Sequence, residues 1–191
     1  PQGHWTADDW EQLAHDEDIR YEIIEGVLYM SKSPDARHQW IIFRLVGAVG
    51  NPAFEAGLAY PFFAPIGLFM PGCDPAQPDF VLVMKQRADE NKMIRERGIY
   101  GVPDLIVEVL SPRTANYDET VKRDAYERAG VPEYVVVLPI ERKLRYRRLQ
   151  PNGSYGEPVM FSEADTFAFA CLPQFPFRVS ALFAGMPDIS A

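Results

Sequence analysis

The stretch Pro103 to Tyr126, PDLIVEVLSPRTANYDETVKRDAY, limits the folds open to this chain more than any other. It reads as a strand, a Ser-Pro turn and a helix. A single carboxylate, Glu108, interrupts the apolar run from Leu105 to Leu110. Side chains alternate along a strand, so Glu108 shares a face with Ile106 and Leu110, while Leu105, Val107 and Val109 take the other. Neither face offers a solvated row, and the pattern predicts a central strand covered on both sides. Burying a carboxylate without a partner costs on the order of several kcal/mol. A metal ion or a lysine must meet it, and the following helix offers Lys122.

The rest of the chain supplies the layers. Thr6 caps a first helix, with Asp9 at the third helical position completing a capping box. Arg20 to Ser31, RYEIIEGVLYMS, is a tight hairpin turning at Glu25-Gly26. Ile41, Ile42, Leu45, Val46 and Val49 recur at helical spacing in a helix from about Ala36 to Val49, which Asn51-Pro52 is expected to stop. Leu58 to Met70 reads as one bent or interrupted strand, and 71–75 as a turn or loop. Phe80 to Met84 is a second two-sided apolar strand. Ala88 to Arg97 reads as a short exposed helix and Gly98 to Val102 as a loop. Thr114 or Asn116 caps the helix that carries Lys122, and Gly130 ends it. Glu133 to Leu138 is a third buried strand. Lys143 to Arg148 alternates charge with apolar or aromatic residues, as an exposed edge strand does. No repeat or linker interrupts this order. It predicts one domain over residues 1–191, α/β or α+β, with a mixed central sheet.

Bulk properties narrow the partners. The net charge of -8 over 191 residues opposes broad affinity for nucleic acid or anionic membrane, although it leaves room for a local basic groove. No apolar run approaches the roughly 18 residues of a membrane span, and no membrane partner is expected. The opening PQGHWTADDW has no apolar signal core, and without an initiator Met residue 1 reads as a point inside a longer chain. Two cysteines, Cys73 and Cys171, make neither a disulfide framework nor a zinc site, so a reducing cytoplasm is the simplest compartment.

Chemistry concentrates at two carboxylates. Asp79 opens one apolar strand and Glu108 interrupts another; if those strands are neighbours, the two acids converge. Their oxygens, with the backbone carbonyl of Val109, suit a hard octahedral cation such as Mg²⁺. The plainer alternative has Asp79 capping a turn and Glu108 paired with a structural arginine. Spacing alone makes Asp118 and Lys122 a surface ion pair, worth well under about 1 kcal/mol; a helix folded back along the Glu108 strand would instead bring Lys122 to the acids. Glu22, in the first hairpin strand, is a third candidate carboxylate or an exposed strand residue. His38, near the start of the long helix, is a candidate general acid/base, although a lone histidine there is more often structural. Lys143, Arg145, Arg147 and Arg148, with Arg113, Arg123 and Arg128, could line a phosphate groove; a solvated edge kept basic against aggregation is at least as good a reading.

Several of these stretches together resemble one family. Pro78-Asp79 before an apolar strand, PDLIVEVLSPRT, then Asp118, Lys122 and Tyr126 at four-residue spacing, GVPEYVVV, the early RYEIIEG and the Arg37-His38 pair resemble the Uma-type restriction endonucleases of the PD-(D/E)XK nuclease superfamily. The resemblance spans essentially the whole chain. It implies an α/β fold with a restriction endonuclease-like core, a mixed central β-sheet flanked by helices and an N-terminal β-hairpin. It also implies Mg²⁺-dependent hydrolysis of DNA phosphodiesters, with Mn²⁺ as a possible substitute and a homo-oligomer, a dimer, as the assembly. On that pattern Asp79 is the first acidic ligand, Glu108 the acid of the (D/E)XK element, and Glu22 the extra upstream acid. One departure stands out: Leu110 occupies the place of the motif lysine, and the resemblance supplies Lys122 from the helix instead. Two other readings share the same residues. One is a nuclease fold that binds or assembles without cutting; the other is a metal-dependent hydrolase of a different phosphoester.

Overall fold

The computed structural model describes residues 4–13, 19–32, 34–111 and 117–186. Thr6 caps α1 (Ala7–Gln12) through the capping box with Asp9. The hairpin follows as β1 (Ile19–Ile24) and β2 (Val27–Lys32), and both turn residues, Glu25 and Gly26, have positive φ, as a tight primed turn requires. Helix α2 (Ala36–Leu45) is capped by Asp35, whose carboxylate accepts the His38 N–H at 2.9 Å. Asn51-Pro52 does not stop this helix. The chain widens into a π-helical turn, Val46–Gly50, and continues as α3 (Asn51–Glu55). Pro52 has no N–H and would crowd the carbonyl four residues back; in the wider turn the Asn51 N–H reaches the Val46 carbonyl, and the chain passes the proline.

The region expected to hold one bent strand holds two, β3 (Ala59–Phe63) and β4 (Gly67–Met70), in different sheets. The expected turn at 71–75 leads into β5 (Cys73–Ala76). After β6 (Phe80–Met84), helix α4 (Lys85–Glu90) starts earlier and is shorter than its charge pattern suggests. Then come β7 (Ile94–Arg95) and β8 (Gly98–Tyr100), where a loop was expected, and β9 (Leu105–Val109). A π-helical turn, Tyr117–Lys122, runs into α5 (Arg123–Ala129), which ends on Gly130 at φ 87°. The candidate caps Thr114 and Asn116 lie outside the described residues, as does Arg113. The chain finishes with β10 (Glu133–Leu138), β11 (Lys143–Arg148), β12 (Val159–Ser162), β13 (Thr166–Phe167), β14 (Phe177–Arg178) and a 3-10 turn, Val179–Leu182.

Two mixed sheets organise these strands, in the orders β2-β1-β5-β4-β8-β7 and β12-β11-β10-β9-β6-β3. In the second sheet β9 lies between β10, its parallel neighbour, and β6, which runs antiparallel to it. All five residues of β9 are buried, and the reason is the two-sided pattern of its sequence. Leu105, Val107 and Val109 pack with Ile41, Leu45 and Val49 of the α2 segment and with Phe167, Phe169 and Leu182 of the C-terminal segment. Ile106 packs on the opposite face with Tyr126 of α5 and with Ile24, Leu68 and Ile99 of the first sheet. β11 is not an edge strand: β12 covers its outer side.

A third buried strand carboxylate, Glu133, belongs to the α2 side of this sheet and holds the C-terminal segment down. It accepts hydrogen bonds from the Tyr146 hydroxyl at 2.9 Å and from the Ala170 and Cys171 amides at 2.7 and 2.6 Å. Buried amides that lose their acceptor carry the full desolvation penalty. Glu133→Ala should therefore lower unfolding stability by roughly 2–4 kcal/mol, with Glu133→Gln costing less because it keeps one carbonyl oxygen. Urea unfolding followed by circular dichroism checks both.

Candidate active site

Five parts of the chain meet at the C-terminal end of β9. Arg20 and Glu22 lie two residues apart on β1 and so share a face with Ile24, toward the second sheet. Asp79 immediately precedes β6, Glu108 is on β9, and Lys122 closes the π-helical turn before α5. His38 sits in the first turn of α2, fixed there by the Asp35 cap. The structure thus brings together all five side chains singled out from the sequence: Glu22, His38, Asp79, Glu108 and Lys122. It also makes the strands that follow Asp79 and carry Glu108 direct neighbours.

Lys122, only 2% exposed, is the hub. Its ammonium lies 3.0 Å from Glu22 Oε1 and 3.0 Å from Glu108 Oε1. Glu22 Oε1 also accepts the Gln77 amide at 2.7 Å, and Glu108 Oε1 accepts the Tyr126 hydroxyl at 2.8 Å. Glu108 Oε2 meets the Asp79 amide at a longer 3.3 Å. Spacing alone favours a surface pair between Asp118 and Lys122, and burial overturns that reading for Lys122. The π-helical turn that ends at Lys122 breaks the regular spacing on which the surface reading rests. The Asp118 side chain lies outside the described residues. Among the described residues, Glu108 is held by Lys122 and Tyr126, and Arg20 hydrogen-bonds to Asp79.

Asp79 is held from three sides. Oδ1 accepts from Arg20 Nη1 at 2.8 Å, and Oδ2 accepts the Val109 amide at 2.8 Å and lies 2.8 Å from His38 Nε2. Burial works to raise the carboxyl, but the His38 hydrogen bond and the charges of His38, Arg20 and Lys122 outweigh it and hold Asp79 well below the usual carboxylate range. Burial likewise works to lower the Arg20 guanidinium; Asp79 and Glu22 reverse that and push it above its ordinary value. Burial first, and then the charges of Glu108 and Glu22, raise the Tyr126 phenol well above its ordinary value, so Tyr126 acts here as a donor. Among the described residues, the carboxylates of Glu22, Asp79 and Glu108 face Arg20 and Lys122. The second ring nitrogen of His38, Nδ1, is buried with no hydrogen-bond partner among the described residues.

The donor set suits a hard cation. Asp79 and Glu108 offer carboxylate oxygens held by neighbouring strands, and Oδ1 of Asp79, bonded to Arg20, has a second lone pair. In an extended strand the N–H and C=O of one residue point to the same side. The Val109 amide points at Asp79, so its carbonyl lies on that side too. Among the described residues, no group of three or more His, Cys, Asp and Glu side chains is arranged to hold a metal. Mg²⁺ commonly takes one or two carboxylates and completes its shell with water, so the Asp79–Glu108 pair is sufficient in kind.

Sequence reasoning missed Arg20 and gave Tyr126 no task. Both left a signal. Arg20 precedes Glu22 by the two residues that put them on one strand face, and Tyr126 follows Lys122 by one helical turn.

The family Uma2, described as "Putative restriction endonuclease", matches residues 7–180. A solved structure described as a "putative nuclease belonging to DUF820" from Anabaena variabilis is similar in fold, with a TM-score of 0.76 and 19% sequence identity, covering 94% of this chain and 97% of that one. Among curated proteins the sequence finds no match. Among the described residues no helix is long and apolar enough to cross a membrane.

Removing the hub should leave two buried carboxylates without their cation. Lys122→Met is expected to cost about 3–5 kcal/mol of stability. Adding Glu108→Gln removes one of those stranded charges, so the double variant should lose at least about 1 kcal/mol less than the sum of the single losses, as residues in one network do; a urea double-mutant cycle measures it. Because the folded state holds Asp79 below its unfolded value of about 3.9, its contribution is present above that pH and lost as pH falls through the folded value. In EDTA, wild-type stability should fall more steeply between about pH 4 and pH 2 than that of Asp79→Asn, read from urea midpoints at each pH.

Proposed function

The chain belongs to the Uma2 family, and from that membership we propose that it is a metal-dependent endonuclease that hydrolyses phosphodiester bonds in DNA. The observation that carries this reading is the meeting of Asp79, Glu108 and Lys122 in one buried polar cluster assembled from separate elements. A structural ion pair needs two partners. Among the described residues, three acids, an arginine, a lysine and a histidine are gathered at the end of one central strand.

Asp79, Glu108 and the Val109 carbonyl would hold Mg²⁺, with Mn²⁺ able to replace it. A divalent cation bound there supplies Lewis acidity, activating water and offsetting the charge that grows on the phosphate. The chain's own residues do the remaining work. Lys122 takes the task of the lysine missing at Leu110, reaching Glu108 from the helix side. Its ammonium is clamped between two carboxylates, so it orients water and stabilises negative charge rather than abstracting a proton. Tyr126 fixes Glu108, and Arg20 fixes Asp79. His38, oriented through Nε2 by Asp79, offers Nδ1 as a proton acceptor or donor. Glu22 holds the far side of Lys122. A homodimer would let two such sites address the two strands of a duplex.

The binding-only reading draws on one observation: Arg20 and His38 already satisfy the charge of Asp79. Titration calorimetry with Mg²⁺ and Mn²⁺ separates the two, since a protein that only binds nucleic acid need take up neither ion. For the nuclease reading, plasmid and single-stranded DNA should be cut in Mg²⁺ or Mn²⁺ and spared in EDTA. Glu108→Gln keeps the shape of the side chain and one carbonyl oxygen for Lys122 and Tyr126. It should lower the cleavage rate by at least about a thousandfold while the protein stays folded; cleavage at the wild-type rate would remove Glu108 from the mechanism.

A further inference from the structure

The basic strand β11 is not accounted for by edge protection. Protection of an exposed sheet edge is the ordinary reason for such a strand, and β12 removes it by pairing along the outer side of β11. The face of these charges is fixed by register. Glu108 stands opposite Val136, and Val136 stands opposite Arg145. Residues directly opposite in a sheet share a face, so Arg145 projects from the same side of the sheet as Glu108. Two strand spacings put their backbones about 10 Å apart. Lys143 and Arg147 flank Arg145 on that face, opposite Leu138 and Tyr134.

The same face receives α5. Lys122, at its start, points into the acidic cluster, and the next residue, Arg123, lies close enough to Arg147 to act on its charge. Burial, and then the positive charges of Arg123 and Arg145, lower the Arg147 guanidinium from its ordinary value, the mark of like charges gathered in a half-buried place. Among the described residues, acids beside this group include Asp124, 2.5 Å from Arg123, Glu141, 3.8 Å from Lys143, and Glu157 near Arg147. In a chain of net charge -8, such crowding of arginines runs against the average of the surface.

We propose that Arg123, Arg145 and Arg147, with Lys143 beside them, form a contact surface for the phosphate backbone of the nucleic acid whose scissile bond lies at the Asp79–Glu108 end of the same sheet face. Guanidinium groups suit phosphate oxygens because their donors pair with two oxygens at once. A polyanion would also relieve their mutual repulsion. The surface reads no sequence; it sets where along a strand the bond at the acidic cluster lies. This inference rests on the nuclease reading of that cluster.

The test uses the full chain and a fluorescently labelled DNA duplex, with binding measured by anisotropy in EDTA across a salt series. Arg145→Met/Arg147→Met keeps the aliphatic stems that cover Tyr134 and Val136 and removes the charges. Binding should weaken about tenfold or more at 100 mM salt, and the slope of log affinity against log salt should shrink by about 2. Arg145→Lys/Arg147→Lys should restore most of that slope. Thermal unfolding of each variant verifies the fold, and plasmid cleavage in Mn²⁺ by the wild type runs beside the binding series. Unchanged affinity and slope in the methionine variant would overturn the contact surface while leaving the nuclease reading intact if the wild type cuts. A wild type that binds through these arginines but cuts nothing would overturn the nuclease reading and keep the surface. A wild type that neither binds nor cuts would overturn both.

Discussion

The ammonium of Lys122, enclosed between Glu22 and Glu108, is the interaction on which the rest of the structure turns. Glu22 and Glu108 come from different sheets, so one buried lysine joins β1 of the first sheet, β9 of the second and the helix laid across them. Charges with little water around them cannot be left unmatched without a cost that rivals the stability of a whole domain. The three elements therefore come together in one relative position or not at all. Apolar packing between the sheets tolerates small shifts; a lysine 3.0 Å from two carboxylates does not.

Around that hub the acids are held by their own backbone as well as by side chains. Asp79 accepts the amide of Val109, Glu108 meets the amide of Asp79, and Glu22 accepts the amide of Gln77. The site is thus positioned by strand geometry, the stiffest scaffold available to it. Glu133 shows what a buried carboxylate looks like when its task is structural. Among the described residues it accepts from two backbone amides and the Tyr146 hydroxyl, and the Cys171 side chain also bonds to it. The cluster at Asp79 and Glu108 differs because it concentrates charge of both signs in a water-poor place.

Charge is also sorted across one sheet face. Acids occupy the β9 end, where Glu108 and Asp79 meet, and arginines occupy β11, with Val136 of β10 between them. The excess of acid over base in the whole chain hides this separation. Net charge describes the average field of a molecule, whereas binding is governed by the local one.

The strands β9 and β10, the hairpin turn, the Gly130 helix end and the two-sided burial of the central sheet were legible in the residues because each rests on local chemistry: alternation, positive φ, a cap. The convergence of Asp79 with Glu108 was legible only as a condition, since sequence does not say which strands are neighbours. What it misread shares one cause. β5, β7 and β8 are strands because another segment pairs with them, and their own residues carry too little pattern to show it. The helix past Asn51-Pro52 continues because a π-helical turn absorbs the proline, and β11 is an interior strand because β12 arrives from 11 or more residues downstream. Sequence alone determined that Glu108 would be buried and would need a cation, since no face of its strand was polar. Only the tertiary structure decided that the cation is Lys122, that Arg20 and His38 hold Asp79, and which side of the sheet the arginines take. Those facts depend on distances between segments far apart in the chain, which folding sets and local pattern does not record.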